Sequence, residues 1–150
     1  MQSILWKCKP FDELSPHELY AIIKLRNEVF VVEQNCIFQD ADDKDQKCFH
    51  LFGYMDSNLA AYARLVPVGI SYPEHISIGR VITSTAYRNA GIGKVLMKQS
   101  IEYCYRLFNK QPIKIGAQYH LKKFYENFGF VQSSEVYDED GIPHVEMVKE

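Results

Sequence analysis

The sequence predicts a mixed α/β domain in which helices cover both faces of a mostly antiparallel sheet. Strand-like segments are interleaved with segments whose apolar residues recur at helical spacing. Several consecutive strand-like segments are joined by short polar turns, which is typical of antiparallel pairs. The 150 residues, of which 47% are apolar, are enough for a single domain spanning residues 1–150.

Each element is predicted from its own local signal. Ser15 to Glu18 forms a capping box with proline at the first helical position, so a helix of about 15 residues starts there. A second helix starts near Gly91, and a third covers 121–127. The strand over 76–83 alternates, which predicts one shared face for Ile76, Ile78, Arg80 and Ile82. The other strands are predicted at 3–8, 48–55, 59–66, 112–117, 130–137 and 143–149.

Composition excludes several classes of function. A net charge of −2 argues against a dedicated nucleic-acid binder, and no apolar run approaches the roughly 18 residues of a membrane span. The first residues lack the apolar region of a signal peptide. The four cysteines form no CxxC pair, which predicts free thiols in the cytoplasm. No metal site is expected, because neither the Cys48/His50 spacing nor the acidic run 40–45 fits a known ligand pattern.

The stretch from Ile78 to Lys94 carries the most chemical information. A strand runs into a turn with two glycines, and the turn opens a helix whose free N–H groups favour a phosphate. A P-loop is excluded because Arg88 stands at its first glycine and Val95 at its hydroxyl position. A dinucleotide fingerprint is excluded because Leu96 stands at its third glycine.

The remaining pattern, Arg88-x-x-Gly91-x-Gly93, resembles the Arg/Gln-x-x-Gly-x-Gly/Ala motif of the GNAT superfamily of N-acetyltransferases. A second block, Phe124 to Phe130, is similar to the family's FYExxGF segment, and the predicted element order also matches. Two further segments, 25–36 and 137–144, resemble the bacterial ElaA-type branch. The resemblance covers essentially the whole chain and implies the GNAT-like fold.

The resemblance also implies a cofactor site for acetyl-coenzyme A, the co-substrate of the family. The turn would hold the pyrophosphate, and the strand before it would hold the pantetheine arm and thioester through its backbone. At the position of the family's usual asparagine this chain has Gln118. The implied coenzyme-binding residues are Val81, Ile82, Arg88, Asn89, Ala90, Gly91, Ile92, Gly93, Lys94, Gln118 and Tyr125.

Catalytic candidates follow from what acetylation of an amine requires. An alkylammonium is only about 0.1% neutral at pH 7, so the site must remove a proton. Tyr125 matches the family's tyrosine and would protonate the leaving thiolate, although a core aromatic is the alternative. Glu33 and His144 are the candidate bases, with His50 as a third. Each of the three also has a structural alternative, and a relay through water is open.

Charge is unevenly distributed along the chain. Residues 86–123 hold eight cations and one acid, which suits an anionic cofactor. Residues 33–45 and 135–146 each hold five acids, which suits a cationic amine unless these are only solvated surfaces. Arg80 lies on an apolar face and needs a partner, for which Glu28 and Glu33 are the expected candidates, and Arg26 likewise lies on the apolar side of its helix.

The function predicted is an acetyl-coenzyme A-dependent N-acetyltransferase that acts on a small or peptide amine by direct attack. Its partners are the coenzyme and an amine acceptor, with no nucleic acid, no membrane, no metal and a possible homodimer. The alternative is a non-catalytic acyl-coenzyme A sensor or interaction module. A third interpretation is transfer of a longer acyl chain, because residues 26–33 are loosely similar to signal-lactone synthases.

Overall fold

The computed structural model describes residues 3–150. The strands are β1 (Leu5–Pro10), β2 (Phe49–Met55), β3 (Asn58–Val66), β4 (Ser77–Thr83), β5 (Ile113–Gln118), β6 (Phe130–Gln132), β7 (Tyr137–Glu139) and β8 (Ile142–Lys149). The α-helices are α1 (Pro16–Arg26), α2 (Ile92–Phe108) and α3 (Lys122–Glu126), and α1 continues into a π-helix, Asn27–Glu33.

The strands form two four-stranded sheets that meet at one point. The first sheet has the order β1-β2-β3-β4, and the second has β5-β8-β6 with β7 also paired to β8. The strand pairs are antiparallel, which confirms the predicted fold class. Within the described residues, β4 and β5 are joined by a parallel bridge at Ile76 and Ile113, and the Lys114 N–H donates to the Ile76 carbonyl over 3.0 Å. Past this bridge the two strands separate and leave a cleft.

Helices cover both faces of the first sheet, as the apolar pattern predicts. On one face, Leu51 and Leu65 pack with Leu96 and Ile101 of α2. On the other face, residues of α1 and the π-helix pack against a second cluster formed by Phe52, Tyr62 and Ile82. Neighbouring residues along β2 and β3 thus enter opposite cores, as strand geometry requires.

The prediction that β4 has one apolar face is wrong. Ile78 pairs with Leu65 and lies in the α2 core, whereas Ile82 pairs with Tyr62 and lies in the α1 core. The register between β3 and β4 shifts between these pairs, because β4 contains one extra residue. A β-bulge of this kind turns the following side chains to the other face of the sheet.

The single strand predicted at 130–137 is instead two short strands, β6 and β7. Both pair with β8, Gln132 with Met147 and Tyr137 with His144. Five residue positions from Gln132 to Tyr137 therefore lie opposite only three positions of β8. The surplus forms a small loop, in which the Ser133 N–H donates to the Glu146 carbonyl over 2.8 Å. The loop brings the β7–β8 hairpin to the mouth of the cleft, where Glu139 and Asp140 line the cavity.

A closed ring of six charged side chains ties the 34–47 loop to the first sheet. Asp40 bridges Arg26 and Arg80 with contacts of 2.6 and 2.8 Å. Asp45 bridges Arg26 and Arg64 at 2.8 and 2.9 Å. Asp42 completes the cycle between Arg64 and Arg80 at 2.8 and 3.4 Å. These three arginines and three aspartates are called the Arg–Asp ring below.

The Arg–Asp ring corrects the expected partners of Arg80. Arg26 and Arg80 pair with the aspartates of the loop rather than with Glu28 or Glu33. Arg26 is fully buried, and a buried charge whose partner is removed costs about 3–5 kcal/mol. Each carboxylate is therefore needed where it lies, so the ring fixes the path of a loop that has little regular structure.

Burial and pairing shift the pKa values around the ring. Burial alone would raise the pKa values of Asp42 and Asp45, but hydrogen bonds and ion pairs with the arginines outweigh it and lower both. His50 is buried beside the ring, with Nδ1 2.7 Å from the Tyr62 hydroxyl and Nε2 2.9 Å from the Asp45 carbonyl. Burial lowers the pKa of His50, so its folded form resists protonation.

These shifts predict that the folded state loses stability in two steps as pH falls. The unfolded chain takes up a proton at His50 below about pH 6.5 and at Asp42 and Asp45 below about pH 4, before the folded chain does. The free energy of unfolding, measured by urea denaturation between pH 3 and 8, should therefore fall through both windows. His50→Gln should remove the upper step, and His17→Gln, at an exposed position, should keep it. An upper step that persists in His50→Gln would contradict this assignment.

Candidate active site

The cleft between β4 and β5 has a volume of about 910 Å³. One wall is β4 from Ile78 to Thr83, and the opposite wall is the end of β5 together with Tyr125 of α3. The π-helix and the loop after it cover the cleft from one side, and the β7–β8 hairpin closes one end. Most of the singled-out candidates line this cavity, namely Val81, Ile82, Arg88, Gln118, Tyr125, Glu33 and His144.

The glycine turn lies at the mouth of the cleft, at the start of α2. Gly91 is the N-cap of this helix with φ +74°, and no side chain caps the helix there. Asn89 has the same φ of +74°, so the turn is built from two residues that tolerate the left-handed region. Its backbone N–H groups and the helix dipole favour an anion. In the same segment, Ala90 precedes the N-cap and Ile92 is buried in the core. Gly93 and Lys94 follow in the first turn of α2.

The Arg88 side chain is engaged by Glu33 across the mouth of the cleft. Both terminal nitrogens of the Arg88 guanidinium donate to the Glu33 carboxylate, one of them over 2.7 Å, and one also donates to the Thr83 carbonyl over 3.2 Å. The hydrogen bond from Arg88 lowers the pKa of Glu33. A carboxylate held this way is a weak proton acceptor, so the geometry favours the ion-pair alternative for Glu33.

Tyr125 is buried, and its hydroxyl has no hydrogen-bond partner among the described residues. Phe124 and Phe130 hold its ring edge-on, with centroids 5.2 and 6.1 Å away. Burial raises the pKa of Tyr125 to about 12, so the phenol carries its proton at neutral pH. A protonated, unpartnered hydroxyl in a cleft is available to a ligand, because buried polar groups otherwise find partners.

His144 lies on the opposite side of the cavity with a fixed tautomer. Its Nδ1 is 2.7 Å from the Ile142 carbonyl, which only accepts, so Nδ1 carries a proton. The lone pair of the neutral ring is therefore on Nε2, which is 3.3 Å from the Glu139 carboxylate. Tyr137 stacks on the ring with centroids 5.9 Å apart. Nε2 is therefore the ring nitrogen that can accept a proton, which makes His144 a candidate general base.

His50 lies beside the Arg–Asp ring and does not line the cleft, which leaves it a structural role. Sequence reasoning missed several residues that line the cavity, namely Phe30, Phe38, Lys44, His120 and Glu139. The positions of Phe38 and Lys44 depend on the path of the 34–47 loop and that of Glu139 on the β6–β7 split, and no local signal in the sequence marks either.

Four of the five acids in segment 33–45 do not offer free charge to a cationic acceptor. Asp40, Asp42 and Asp45 are neutralised within the Arg–Asp ring, and Glu33 is paired with Arg88. The fifth, Asp43, is exposed and does not line the cavity. The acids left to face the cleft are Glu139 and Asp140 at the tip of the β7–β8 hairpin. Of the two acidic segments, only the second thus keeps a role in recognising an amine.

The cleft fits an extended anionic thioester. The separated β4 and β5 leave room between the sheets, the uncapped N-terminus of α2 suits phosphate oxygens, and the Tyr125 hydroxyl lacks a partner. This combination is that of an acyl-coenzyme A enzyme. A model of the acetyltransferase (GNAT) domain matches residues 15–150. The chain belongs to the GNAT acetyltransferase family.

Relatives within the GNAT family are similar over nearly the whole chain. ElaA of Escherichia coli is 44% identical over 149 residues, which cover 98% of this chain and 97% of ElaA. A protein of Synechocystis is 41% identical over 97% of this chain and 94% of its own length. These relatives confirm the predicted resemblance to the ElaA-type branch.

Solved GNAT structures superpose closely on this chain. An acyl-CoA N-acyltransferase from Pseudomonas aeruginosa has a TM-score of 0.93 at 41% identity, covering 99% of this chain and all of its own. The E. coli ElaA crystal structure has a TM-score of 0.92 at 43% identity with the same coverage. The AHL synthase LasI has a TM-score of 0.80 at 12% identity, covering 99% and 90%, which shows a shared fold alone.

Other kinds of site receive no support from residues 3–150. Within that range no three potential metal ligands cluster, and no helix is long and apolar enough to cross a membrane. Burial raises the pKa of the Cys48 thiol to about 11, which makes it a poor nucleophile at neutral pH.

The Glu33–Arg88 pair predicts a measurable effect on coenzyme binding. Glu33→Gln frees the guanidinium and removes a negative charge beside the phosphate turn, so coenzyme A should bind about two- to fivefold more tightly, the range of an exposed ion pair. Isothermal calorimetry measures this change, and Glu28→Gln, exposed on the same π-helix, is the matched control. Weaker binding in Glu33→Gln would mean that Glu33 positions Arg88 for the phosphates. Unchanged binding with lost turnover would return Glu33 to the role of base.

Proposed function

We propose that this protein is an acetyl-coenzyme A-dependent N-acetyltransferase that acetylates a primary amine by direct attack within a ternary complex. The observation that carries the proposal is that one cleft is lined by Arg88, the first residue of the glycine-turn motif, by Tyr125 and by His144. Acyl transfer is the chemistry of the family, and acetyl as the acyl group and an amine as the acceptor are the proposed refinements. The four free thiols support a cytoplasmic location for the single domain.

In the proposed mechanism His144 removes the proton that the amine must lose. Its Nδ1 is held by the Ile142 carbonyl, so Nε2 is the atom that accepts the proton. Glu139 lies 3.3 Å away and compensates the positive charge that develops on the ring. Its neighbour Asp140, at the hairpin tip, adds negative charge where a cationic amine would approach.

The coenzyme side of the cleft would be held by the turn and by β4. When bound, acetyl-coenzyme A supplies a thioester whose acyl carbon accepts the amine. Residues Arg88 to Lys94 would bind its phosphates, Gln118 would line the pantetheine channel, and the backbone of Val81 and Ile82 would orient the thioester. Backbone donors fixed in this way stabilise charge that develops on a carbonyl oxygen. Tyr125 then donates its proton to the departing sulfur, and its burial keeps that proton in place at neutral pH.

The direct test is release of free thiol from acetyl-coenzyme A with the purified protein and a panel of amines. Turnover with at least one amine class, and loss of coenzyme binding in Arg88→Glu, would support the proposal. Tight coenzyme binding without turnover on any amine would instead favour a sensor module. No calorimetric signal with acetyl-coenzyme A would overturn both.

Tyr125→Phe should lower kcat by about 10²-fold or more, within the range of general acids, with little change in coenzyme affinity. The change removes one hydroxyl and keeps the ring that Phe124 and Phe130 hold. Steady-state kinetics and calorimetry measure the two effects. Tyr20→Phe, which removes a hydroxyl from an exposed ring of α1 outside the cavity lining, is the control. An unchanged kcat in Tyr125→Phe would remove this residue from the mechanism.

His144→Asn should lower kcat and delete one ionisation from the pH–rate profile. The asparagine amide can still donate to the Ile142 carbonyl, so the local fold is kept while the base is lost. Profiles of kcat against pH for the wild type, His144→Asn and His120→Asn provide the measurement, because His120 also lines the cavity. If the ionisation persists in His144→Asn and disappears in His120→Asn, His120 is the base instead.

A further inference from the structure

Arg80 has a backbone conformation that is unusual for its residue type. Its φ is +50°, and the other described non-glycine residues with positive φ are Asn, Asp or Ser in turns and loops. Arg80 lies within β4, where one extra residue forms the bulge. A left-handed conformation at a residue with a long side chain persists only where its surroundings determine it, and such sites cluster at functional positions.

The surroundings of Arg80 supply that constraint through its side chain. The Nε donates to Asp40 Oδ1 over 2.8 Å, and a terminal nitrogen donates to the Asp40 carbonyl over 3.0 Å. A weaker contact of 3.4 Å joins it to Asp42. The guanidinium carbon lies 5.8 and 6.0 Å from the ring centroids of Phe30 and Phe38. The guanidinium is therefore held from the loop and from the π-helix at once.

The bulge lies in the cleft wall at the point where the thioester is proposed to bind. Gly79 pairs with Arg64 and Ile82 with Tyr62, so Arg80 and Val81 together face a single residue of β3 and have no register partner. Both line the cavity. Their backbone groups are thus not committed to the β3–β4 ladder, and their direction depends on the φ of Arg80.

We propose that the Arg–Asp ring is a positioning device for the acyl-transfer site: Asp40 and Asp42, acting through Arg80, hold the bulge so that the Val81 backbone receives the thioester. This inference rests on the proposed function. The ring has a buried side and a more exposed side, and each side suits a different task. The side chains of Arg26 and Asp45 are at most 10% exposed and anchor the loop, whereas those of Arg80 and Asp42 are each 23% exposed and line the cleft.

A pair of variants at Arg80 separates backbone positioning from side-chain chemistry. Arg80→Gly and Arg80→Ala both remove the guanidinium and leave the same gap in the ring. They differ in one respect, because glycine adopts φ +50° freely and alanine does not. We expect kcat to fall in the order wild type, Arg80→Gly, Arg80→Ala, with the two variants about tenfold apart, while their affinities for acetyl-coenzyme A remain alike. Equal kcat values in the two variants would overturn the proposal.

A matched pair elsewhere controls for stability. Asn109 is exposed after α2 with φ +68°, so Asn109→Gly and Asn109→Ala impose the same backbone contrast outside the cavity lining. The melting temperatures of this pair should differ while kcat stays the same. A tenfold difference in kcat here as well would mean that stability alone explains the Arg80 result, and the proposal would fail.

Asp42→Asn, combined with Arg80→Gly in a double-mutant cycle, provides a second test. Its effect on kcat should be present in the wild-type background and absent in the Arg80→Gly background, because Arg80 transmits it. Asp43→Asn, at an exposed position in the same loop, is the control. An equal effect of Asp42→Asn in both backgrounds would overturn the proposal.

A readout without turnover distinguishes failure of this inference from failure of the proposed function. The 15N–1H resonance of the Val81 amide in the coenzyme-free protein should shift in Asp42→Asn and stay in place in Asp43→Asn. In the wild type it should respond differently to acetyl-coenzyme A and to coenzyme A, whether or not any amine is acetylated. If the Val81 amide resonance is the same in Asp42→Asn as in the wild type, and the same with acetyl-coenzyme A as with coenzyme A, the positioning role is overturned even if the enzyme is active.

Discussion

The Arg–Asp ring is the constraint on which the rest of the structure depends. It joins α1, β3, β4 and the 34–47 loop in one closed cycle of alternating charges. Buried ion pairs often add little net stability, because desolvation offsets their attraction, yet an unpaired member is strongly unfavourable. The cycle is therefore best understood as a device for specificity, since few loop conformations satisfy all three arginines at once. The loop in turn covers the cleft, with Phe38 and Lys44 among its lining residues.

The ring also determines which carboxylates around the cleft are engaged in ion pairs of the fold and which remain available to a ligand. Three aspartates that by sequence alone could attract a cationic acceptor are used inside the fold, and Glu33 is used to hold Arg88. The β7–β8 hairpin then supplies the carboxylates at the acceptor end, next to His144. The cleft thus has the Glu33–Arg88 pair and the uncapped N-terminus of α2 on one side and the carboxylates of the β7–β8 hairpin on another. This arrangement suits the proposed acetylation of an amine.

Much of the fold follows from local signals that the folded chain preserves. The capping box appears in both of its hydrogen bonds, with the Glu18 N–H donating to Ser15 Oγ over 3.0 Å and the Ser15 N–H to Glu18 Oε1 over 2.9 Å. The glycine turn starts α2 at the predicted residue, because Gly91 tolerates a φ that few residues adopt. Two local predictions fail, the single face of β4 and the single strand at 130–137. Both fail because a residue counts as extra only relative to the strand it pairs with, and the local sequence does not show which strand that is.

The sequence by itself determined the family, through the resemblance of its motifs to those of the GNAT superfamily. It also determined most of the elements and the glycine turn, since these depend on capping, glycine tolerance and periodicity, which act over a few residues. It also determined that Arg26 and Arg80 need partners. Only the tertiary structure decided which carboxylates those partners are, and it therefore decided which acids remain for an acceptor. The pairing of Glu33 with Arg88, which favours His144 over Glu33 as the proposed base, was equally out of reach, because these two residues are 55 positions apart in the chain and meet across the mouth of the cleft. Contacts of that kind join residues far apart in the chain, and spacing along the chain does not encode them.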